Sequence, residues 1–281
     1  MAHGVKKGLL QQLIAREALT RLIDDVRETG AIVMPLKGVL LVALGIRKAS
    51  ERPMIDVVVL VEPRVARAAA LAARRKGWEG TLGNDYACML IHPATSSTSV
   101  DLHRALFPTG FFRMSTEGVF ARATRDTKLF GREVMLMSPL DLYAHLVGHF
   151  TKGRTDRRDL LHLRDFAAVG RWSGLSPSAC AAHLDEVGLA RAARYALTMA
   201  ADTEGDVFAR DVVRALPRDR RGRVLARLAD VALSRIEPGS YVGIPFVHAL
   251  NASLPRGARS LWAHVTEPKE DDRSRDGWWH P

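Results

Sequence analysis

The sequence is short of cysteine, aromatic residues and long apolar runs. Its two cysteines, Cys88 and Cys180, lie far apart with no metal-ligand spacing, so two free thiols in a reducing compartment are expected. Polar residues interrupt the apolar pattern behind the N-terminal lysines. Neither a signal peptide nor a membrane span is therefore predicted, and we expect a cytoplasmic protein without a membrane partner.

Acidic residues are also in deficit: 31 Asp and Glu oppose 41 Lys and Arg, a net charge of +10. A basic surface can attract nucleic acid, nucleotides or anionic membranes. Aromatic residues make up 6% of the chain and are not interleaved with the basic ones, as a stacking platform for single strands requires. The charge favours an ordinary arginine-rich surface, and a basic nucleic-acid-binding protein is a further hypothesis.

The first half of the chain mixes helical and strand patterns. Helices are predicted over residues 7–28, 39–44 and 64–76, and strands over 31–36, 56–61, 86–92 and 98–106, with a further strand or hairpin over 128–137. The stretch 56–61 holds four valines and a leucine without alternation. That composition predicts a central strand that is covered on both faces.

The second half shows helical periodicity alone. Helices are predicted over residues 140–150, 156–169, 177–187, 189–200, 206–216 and 223–236. The pattern predicts an α+β fold with an α/β domain over residues 1–137 and an all-helical domain over 138–265. The charged segment 266–281 is expected to be a mobile tail.

Two predicted strands carry carboxylates that suit metal-assisted phosphoryl or nucleotidyl transfer. Asp56 opens the strongest strand, and Asp101 lies in an alternating one. Magnesium prefers such hard oxygen ligands, and a pair of ions about 3.5–4 Å apart can hold the attacking and leaving oxygens. Structural alternatives are that Asp56 caps its loop or pairs with Arg52, and that Asp101 lies on a solvated strand face.

A strand-to-helix turn supplies the second part of such a site. Lys37 and Gly38 stand at this turn, where backbone N–H groups can bind a triphosphate. Arg52, on the loop before Asp56, can reach phosphate oxygens. Lys37 could equally be an exposed turn lysine, and the basic loop could simply be solvated.

The order of these motifs resembles the uncharacterised nucleotidyltransferase-like family of the polymerase-β-type nucleotidyltransferase superfamily. The motifs are Leu36-Lys37-Gly38, Arg52-x-x-x-Asp56, Leu60-Val61, Asp101-Leu102-His103, Ser138-Pro139-x-Asp141-Leu142, His145, His149 and Leu160-x-x-Leu163-x-Asp165. The resemblance covers about residues 10–170. It implies a nucleotidyltransferase-like mixed β-sheet with helices, followed by an all-helical C-terminal domain.

The resemblance also implies a reaction and its residues. Asp56 and Asp101 would be catalytic ligands of Mg²⁺, and Lys37, Gly38 and Arg52 would bind a nucleoside triphosphate. The nucleotidyl group would pass to an unknown acceptor, which could be a small molecule, a protein or an RNA.

One position departs from the family pattern. The family has Asp-x-Asp at the head of the second strand, whereas this sequence has Asp56-Val57-Val58. Valine cannot ligate magnesium, and Glu62 lies roughly 13 Å beyond position 58 along the strand. Val58 therefore supports an alternative hypothesis: a catalytically degenerate member that binds a nucleotide or a partner without turnover.

A histidine pair raises one more possibility. His145 and His149 are four residues apart on one face of a predicted helix, a spacing that can bind zinc. The sequence offers no third ligand at a suitable spacing, so packing with hydrogen bonds is the favoured interpretation.

Overall fold

The computed structural model describes residues 2–54, 56–108, 110–152 and 160–235. The described residues form two compact units, the first within residues 1–108 and 115–138 and the second within 109–114 and 139–235. The tail predicted at 266–281, the first residues of the helix predicted at 156–169 and the last of that at 223–236 lie outside the described residues.

The first unit is a mixed sheet with helices. Its elements are α1 (Ala2–Val26), β1 (Met34–Leu36), α2 (Lys37–Ala43), β2 (Asp56–Leu60), α3 (Pro63–Arg75), β3 (Glu79–Gly83), β4 (Ala87–Ile91), β5 (Ser99–His103), α4 (Thr116–Arg122), β6 (Thr124–Asp126) and β7 (Val134–Leu136). Five strands form one sheet in the order β1-β2-β5-β4-β3, and β6 and β7 form a hairpin.

The sheet is mixed because β2 and β5 run parallel while the other neighbouring strands run antiparallel. Parallel neighbours need a crossover connection, which here is the segment holding α3, β3 and β4. The interior position of β2 explains its unbroken run of valines, because both of its faces are covered.

Alternate strand residues divide the sheet into two faces. Val57, Val59 and Val61 belong to a core cluster with residues of α1 and α3. The helix α3 begins with Pro63 and buries a row of alanines against this face. Asp56, Val58 and Leu60 have the opposite parity and therefore point to the other face of the sheet.

The second unit is helical throughout its described part. Its helices are α5 (Pro139–Lys152), α6 (Leu160–Trp172), α7 (Pro177–Glu186), α8 (Ala190–Thr203), α9 (Val207–Ala215) and α10 (Arg220–Arg235). Asp141 of α5 is fully buried, and its Oδ1 lies 3.0 Å from Nε2 of His183 in α7. Asp206 caps α9 by accepting hydrogen bonds from the backbone N–H groups of Phe208 and Ala209.

A short segment before α4 belongs to this helical unit. Arg113 donates its backbone N–H to the Val187 carbonyl at 2.9 Å and its guanidinium to the Asp185 carbonyl at 2.5 Å. The chain thus enters the second unit at residues 110–114 before it completes the first unit.

The structure confirms the predicted α+β fold, with a mixed sheet followed by a helical region. Sequence patterns missed β3, β6 and α4. The strand β3 has two glycines in five residues and depends on pairing with β4, while α4 is seven residues long and depends on its Ser115 cap. None of the described helices combines the length and apolar character that a membrane crossing requires.

The two cysteines provide a test of the core. Burial raises the pKa of Cys88 to about 12 and that of Cys180 to about 11, and the charge of Asp101 adds to the rise at Cys88. A raised pKa keeps a thiol protonated, so at pH 8 less than about one in a thousand of either is thiolate. We expect no reaction of the native protein with a thiol-specific reagent and two reacting thiols in denaturant. Rapid modification of the native protein would contradict this burial.

Candidate active site

The parallel pair of strands aligns the two predicted aspartates on one face. In the register of β2 and β5, Val58 is opposite Asp101 and Asp56 is opposite Ser99. Strand spacing and rise place the Cα atoms of Asp56 and Asp101 about 8 Å apart along a diagonal. Both side chains are partly exposed, and their face is opposite the one that α1 and α3 cover. Two carboxylates can therefore reach one common point above the sheet.

Val58 occupies the position where the family pattern has its second carboxylate. It stands in a row across four strands, with Leu36 on one side and Asp101 and then Met89 on the other. An oxygen ligand at this position would lie beside Asp101 and one pleat from Asp56. Instead the valine is 2% exposed, so the space is filled by a packed apolar side chain.

The Lys37-Gly38 turn has an unusual backbone. Leu36 is extended at φ −124° and ψ 163°, and Lys37 then takes a left-handed φ of +52° before α2 continues. Within the described ranges, Lys37 is the one non-glycine residue with positive φ. Such a conformation costs about 1–2 kcal/mol in an L-residue. A left-handed residue followed by a helical one turns successive N–H groups towards one point, an arrangement that suits an anion.

The structure brings Arg52 to this turn. A Cβ placed on Gly38 would lie 3.1 Å from Cγ of Met54 and 3.6 Å from Cζ of Arg52. A side chain at position 38 would thus press on the residues around the guanidinium. Arg52 is 8% exposed and donates to the Pro53 carbonyl at 3.1 Å, so its guanidinium is held in place. Gly38 and Arg52, which were predicted to bind the same triphosphate, are neighbours.

The loop that carries Arg52 is held by the helix α1 and by hydrogen bonds within the loop. A Cβ on Gly8 of α1 would lie 2.6 Å from the Ala49 carbonyl oxygen, so α1 and the loop are in close backbone contact. The backbone N–H of Arg52 bonds to the Lys48 carbonyl at 3.1 Å. Arg47 is also buried and donates to the Glu51 carbonyl at 3.4 Å. These contacts make the basic loop an ordered structure.

The register of β1 with β2 places the Lys37-Gly38 turn next to Asp56. The strand β1 runs antiparallel to β2 with Leu36 opposite Val58, so the turn that follows Leu36 lies beside the head of β2, where Asp56 stands. Sequence reasoning did not name Ser99, whose position opposite Asp56 brings a hydroxyl to the same face. The sequence did contain a signal for it: Ser99 and Asp101 are two residues apart on β5, so their side chains point to the same face.

The histidine pair lies in the second unit. The rings of His145 and His149 are 6.1 Å apart, and that of His162 lies 5.5 Å from His149. Across the part of the chain that the structure describes, however, no group of three or more His, Cys, Asp or Glu side chains could hold a metal ion. The sequence-based preference for packing over zinc binding therefore stays the simpler interpretation.

A groove of about 320 Å³ lies at the other end of β2. It is lined by Glu62, Pro63, Arg64, Glu117, Phe120 and Ala121. Glu62 is about 20 Å along the strand from Asp56, so this groove is not part of the candidate site. The candidate site is therefore the end of the sheet where the aligned carboxylates and the Lys37-Gly38 turn lie, because metal-assisted transfer needs metal ligands and phosphate donors close together.

A strand–turn–helix next to a parallel strand pair with aligned aspartates is the arrangement of a nucleotidyltransferase-like protein. Comparison with protein families supports this class: the family model described as uncharacterised nucleotidyltransferase matches residues 5–204. The chain belongs to this family, which confirms the resemblance inferred from the motifs. Searches of curated proteins and of solved structures returned no match at the threshold applied.

The strained turn yields a prediction in which two variants remove the same side chain. Lys37→Gly relieves the left-handed strain, whereas Lys37→Ala keeps it. We expect the glycine variant to be more stable than the alanine variant by about 1 kcal/mol, measured by urea unfolding. Equal stability of the two variants would show that position 37 is not strained in solution.

Proposed function

We propose that the protein transfers a nucleotidyl group from a nucleoside triphosphate to a hydroxyl acceptor, with Mg²⁺ as cofactor. The observation that carries this proposal is the register of β2 and β5, which sets Asp56 and Asp101 on one face beside the Lys37-Gly38 turn. The family assignment supports the same class of reaction.

The donor set fits one magnesium ion. Asp56 and Asp101 offer hard carboxylate oxygens from neighbouring strands, and Mg²⁺ completes its shell with water and phosphate oxygens. When bound, the ion would neutralise charge on the phosphate oxygens and orient the α-phosphorus. The described residues supply no third carboxylate, so the usual pair of ions has too few protein ligands here.

The turn and the loop would bind the triphosphate. The N–H groups at Lys37 and Gly38 would donate to phosphate oxygens, and the absence of a side chain on Gly38 leaves room for Met54 and Arg52 beside the turn. Arg52 would place its guanidinium against the same phosphates, since its Cζ lies near Gly38. These groups would hold the leaving pyrophosphate in line with the attacking hydroxyl, whether the acceptor is a small molecule, a protein or an RNA.

Loss of Asp56 tests the chemistry. Asp56→Asn keeps the shape of the side chain and removes its charge, so Mg²⁺-dependent pyrophosphate release should fall by at least roughly 100-fold, which is about 3 kcal/mol of transition-state stabilisation. Glu62→Gln is the matched control, because Glu62 has the same strand parity but pairs with Arg64 at the far end. If both variants keep wild-type activity, Asp56 has no catalytic role.

A second candidate function is nucleotide or partner binding without turnover. The burial of Val58 favours it, because an apolar side chain fills the place of a metal ligand. Calorimetry with each triphosphate and Mg²⁺ or Mn²⁺ separates the candidates: binding with turnover supports transfer, binding without turnover supports the degenerate form, and absence of binding contradicts both.

The variant Val58→Asp tests the geometry directly. A carboxylate at a position that is 2% exposed should cost about 3 kcal/mol of stability without metal, and Mg²⁺ should restore much of that loss. Val58→Asn is the control, because asparagine has the shape of aspartate without its charge, and Mg²⁺ should not raise the stability of this variant. We expect thermal unfolding with and without Mg²⁺ to show this difference. Nucleotidyl transfer that appears in Val58→Asp alone would support the degenerate form of the native protein.

A further inference from the structure

A dense group of arginines lies on α9, α10 and the loop between them. We call the arginine surface the seven residues Arg210, Arg214, Arg218, Arg220, Arg221, Arg223 and Arg227, all of which are exposed. The 18 residues from 210 to 227 hold these seven arginines and two aspartates, a net charge of +5. Half of the net charge of +10 is therefore concentrated in one short segment.

The two aspartates of the segment already have partners. Asp219 accepts the Gly222 N–H at 2.9 Å with Oδ1 and the Arg191 guanidinium at 2.7 Å with Oδ2. Asp211 pairs with Arg214 at 3.1 Å. Among the residues that the structure describes, the other six members of the arginine surface have no carboxylate partner.

Several surface arginines elsewhere in the chain lie in ion pairs. The arginine pairs among the described residues outside the segment include Arg21–Glu17, Arg64–Glu62, Arg75–Glu28, Arg125–Glu133, Arg132–Asp24 and Arg164–Glu204. The charge of Arg223 also acts on a neighbouring buried residue. Burial lowers the pKa of Arg194, and the positive charge of Arg223 lowers it further. Carboxylate pairing thus occurs at several arginines outside the segment and at one of the seven within it.

The cations form rows along the two helices. Arg210 and Arg214 are four residues apart on α9, and Arg220, Arg223 and Arg227 follow at spacings of three and four on one side of α10. The row on α10 extends about 10 Å at the helical rise. Guanidinium groups at such repeats suit an extended chain of phosphates, because each guanidinium can donate two N–H groups to one phosphate.

We propose that the arginine surface binds the phosphate backbone of a nucleic acid duplex. A duplex is favoured over a single strand because residues 210–227 contain no aromatic side chain on which bases could stack. The same absence disfavours a lipid surface, where aromatic anchors are usual, although Val224, Leu228 and Val231 are exposed on α10. The surface lies beyond residue 204, where the family match ends, and the proposal is independent of the transfer reaction.

The test measures how the full chain binds a fluorescent 20-base-pair DNA duplex across a range of salt. Each phosphate contact contributes about −0.9 to the slope of log K against log salt. The triple variant Arg220→Gln/Arg223→Gln/Arg227→Gln should lose about 2.7 of that slope and bind at least roughly 100-fold more weakly at 0.1 M salt. Circular dichroism checks that the variant is folded.

The control removes the same charge from another place. Arg75→Gln/Arg125→Gln/Arg132→Gln takes three exposed arginines that are already paired, and it should change the slope little. Equal losses in both triple variants would reduce the effect to net charge and overturn the proposal. It would also be overturned if the wild type bound anionic vesicles and not the duplex. Asp56→Asn should bind the duplex like the wild type, which separates this surface from the candidate active site.

Discussion

The parallel pairing of β2 with β5 is the contact on which the rest of the candidate site depends. It sets Asp101 beside Val58 and leaves Asp56 one pleat away on the same face. A shift of one residue would turn these side chains into the core that α1 and α3 build. The valines of the opposite parity prevent that shift, because they are buried in the core cluster. The hydrophobic effect thus fixes the register, and the register positions the polar groups.

Close packing also holds in place the turn and loop that we propose to bind phosphate. Lys37 takes a strained left-handed conformation, and the surrounding contacts must offset its cost. Gly38 lies against Met54 and Arg52, and Gly8 lets α1 contact the loop at Ala49. Both glycines therefore lie in close contact with the segment around Arg52: Gly8 with its backbone, and Gly38 with side chains. The fold is ordered around this end of the sheet even though the carboxylate set is short by one.

Much of the fold could be predicted from the sequence because strong patterns coincide with strong packing. The valine run of β2, the alanine row of α3 and the helical periods of the second half all report burial on a defined face. The strand β3 and the segment 110–114 could not be predicted this way. A glycine-rich edge strand forms through its partner, and Arg113 joins the helical unit through hydrogen bonds to distant carbonyls. Neither leaves a local periodic signal.

The residue types of the candidate site can be read from the sequence alone: Asp56, Asp101 and the Lys37-Gly38 turn stand in family order, with Val58 where an aspartate is expected. Composition and order carry that information because ligand chemistry depends on residue type. Only the three-dimensional structure shows that Arg52 lies at Gly38, that Val58 is buried and that the seven arginines of residues 210–227 are exposed. These facts depend on register and helix packing, which join residues that are distant in the chain.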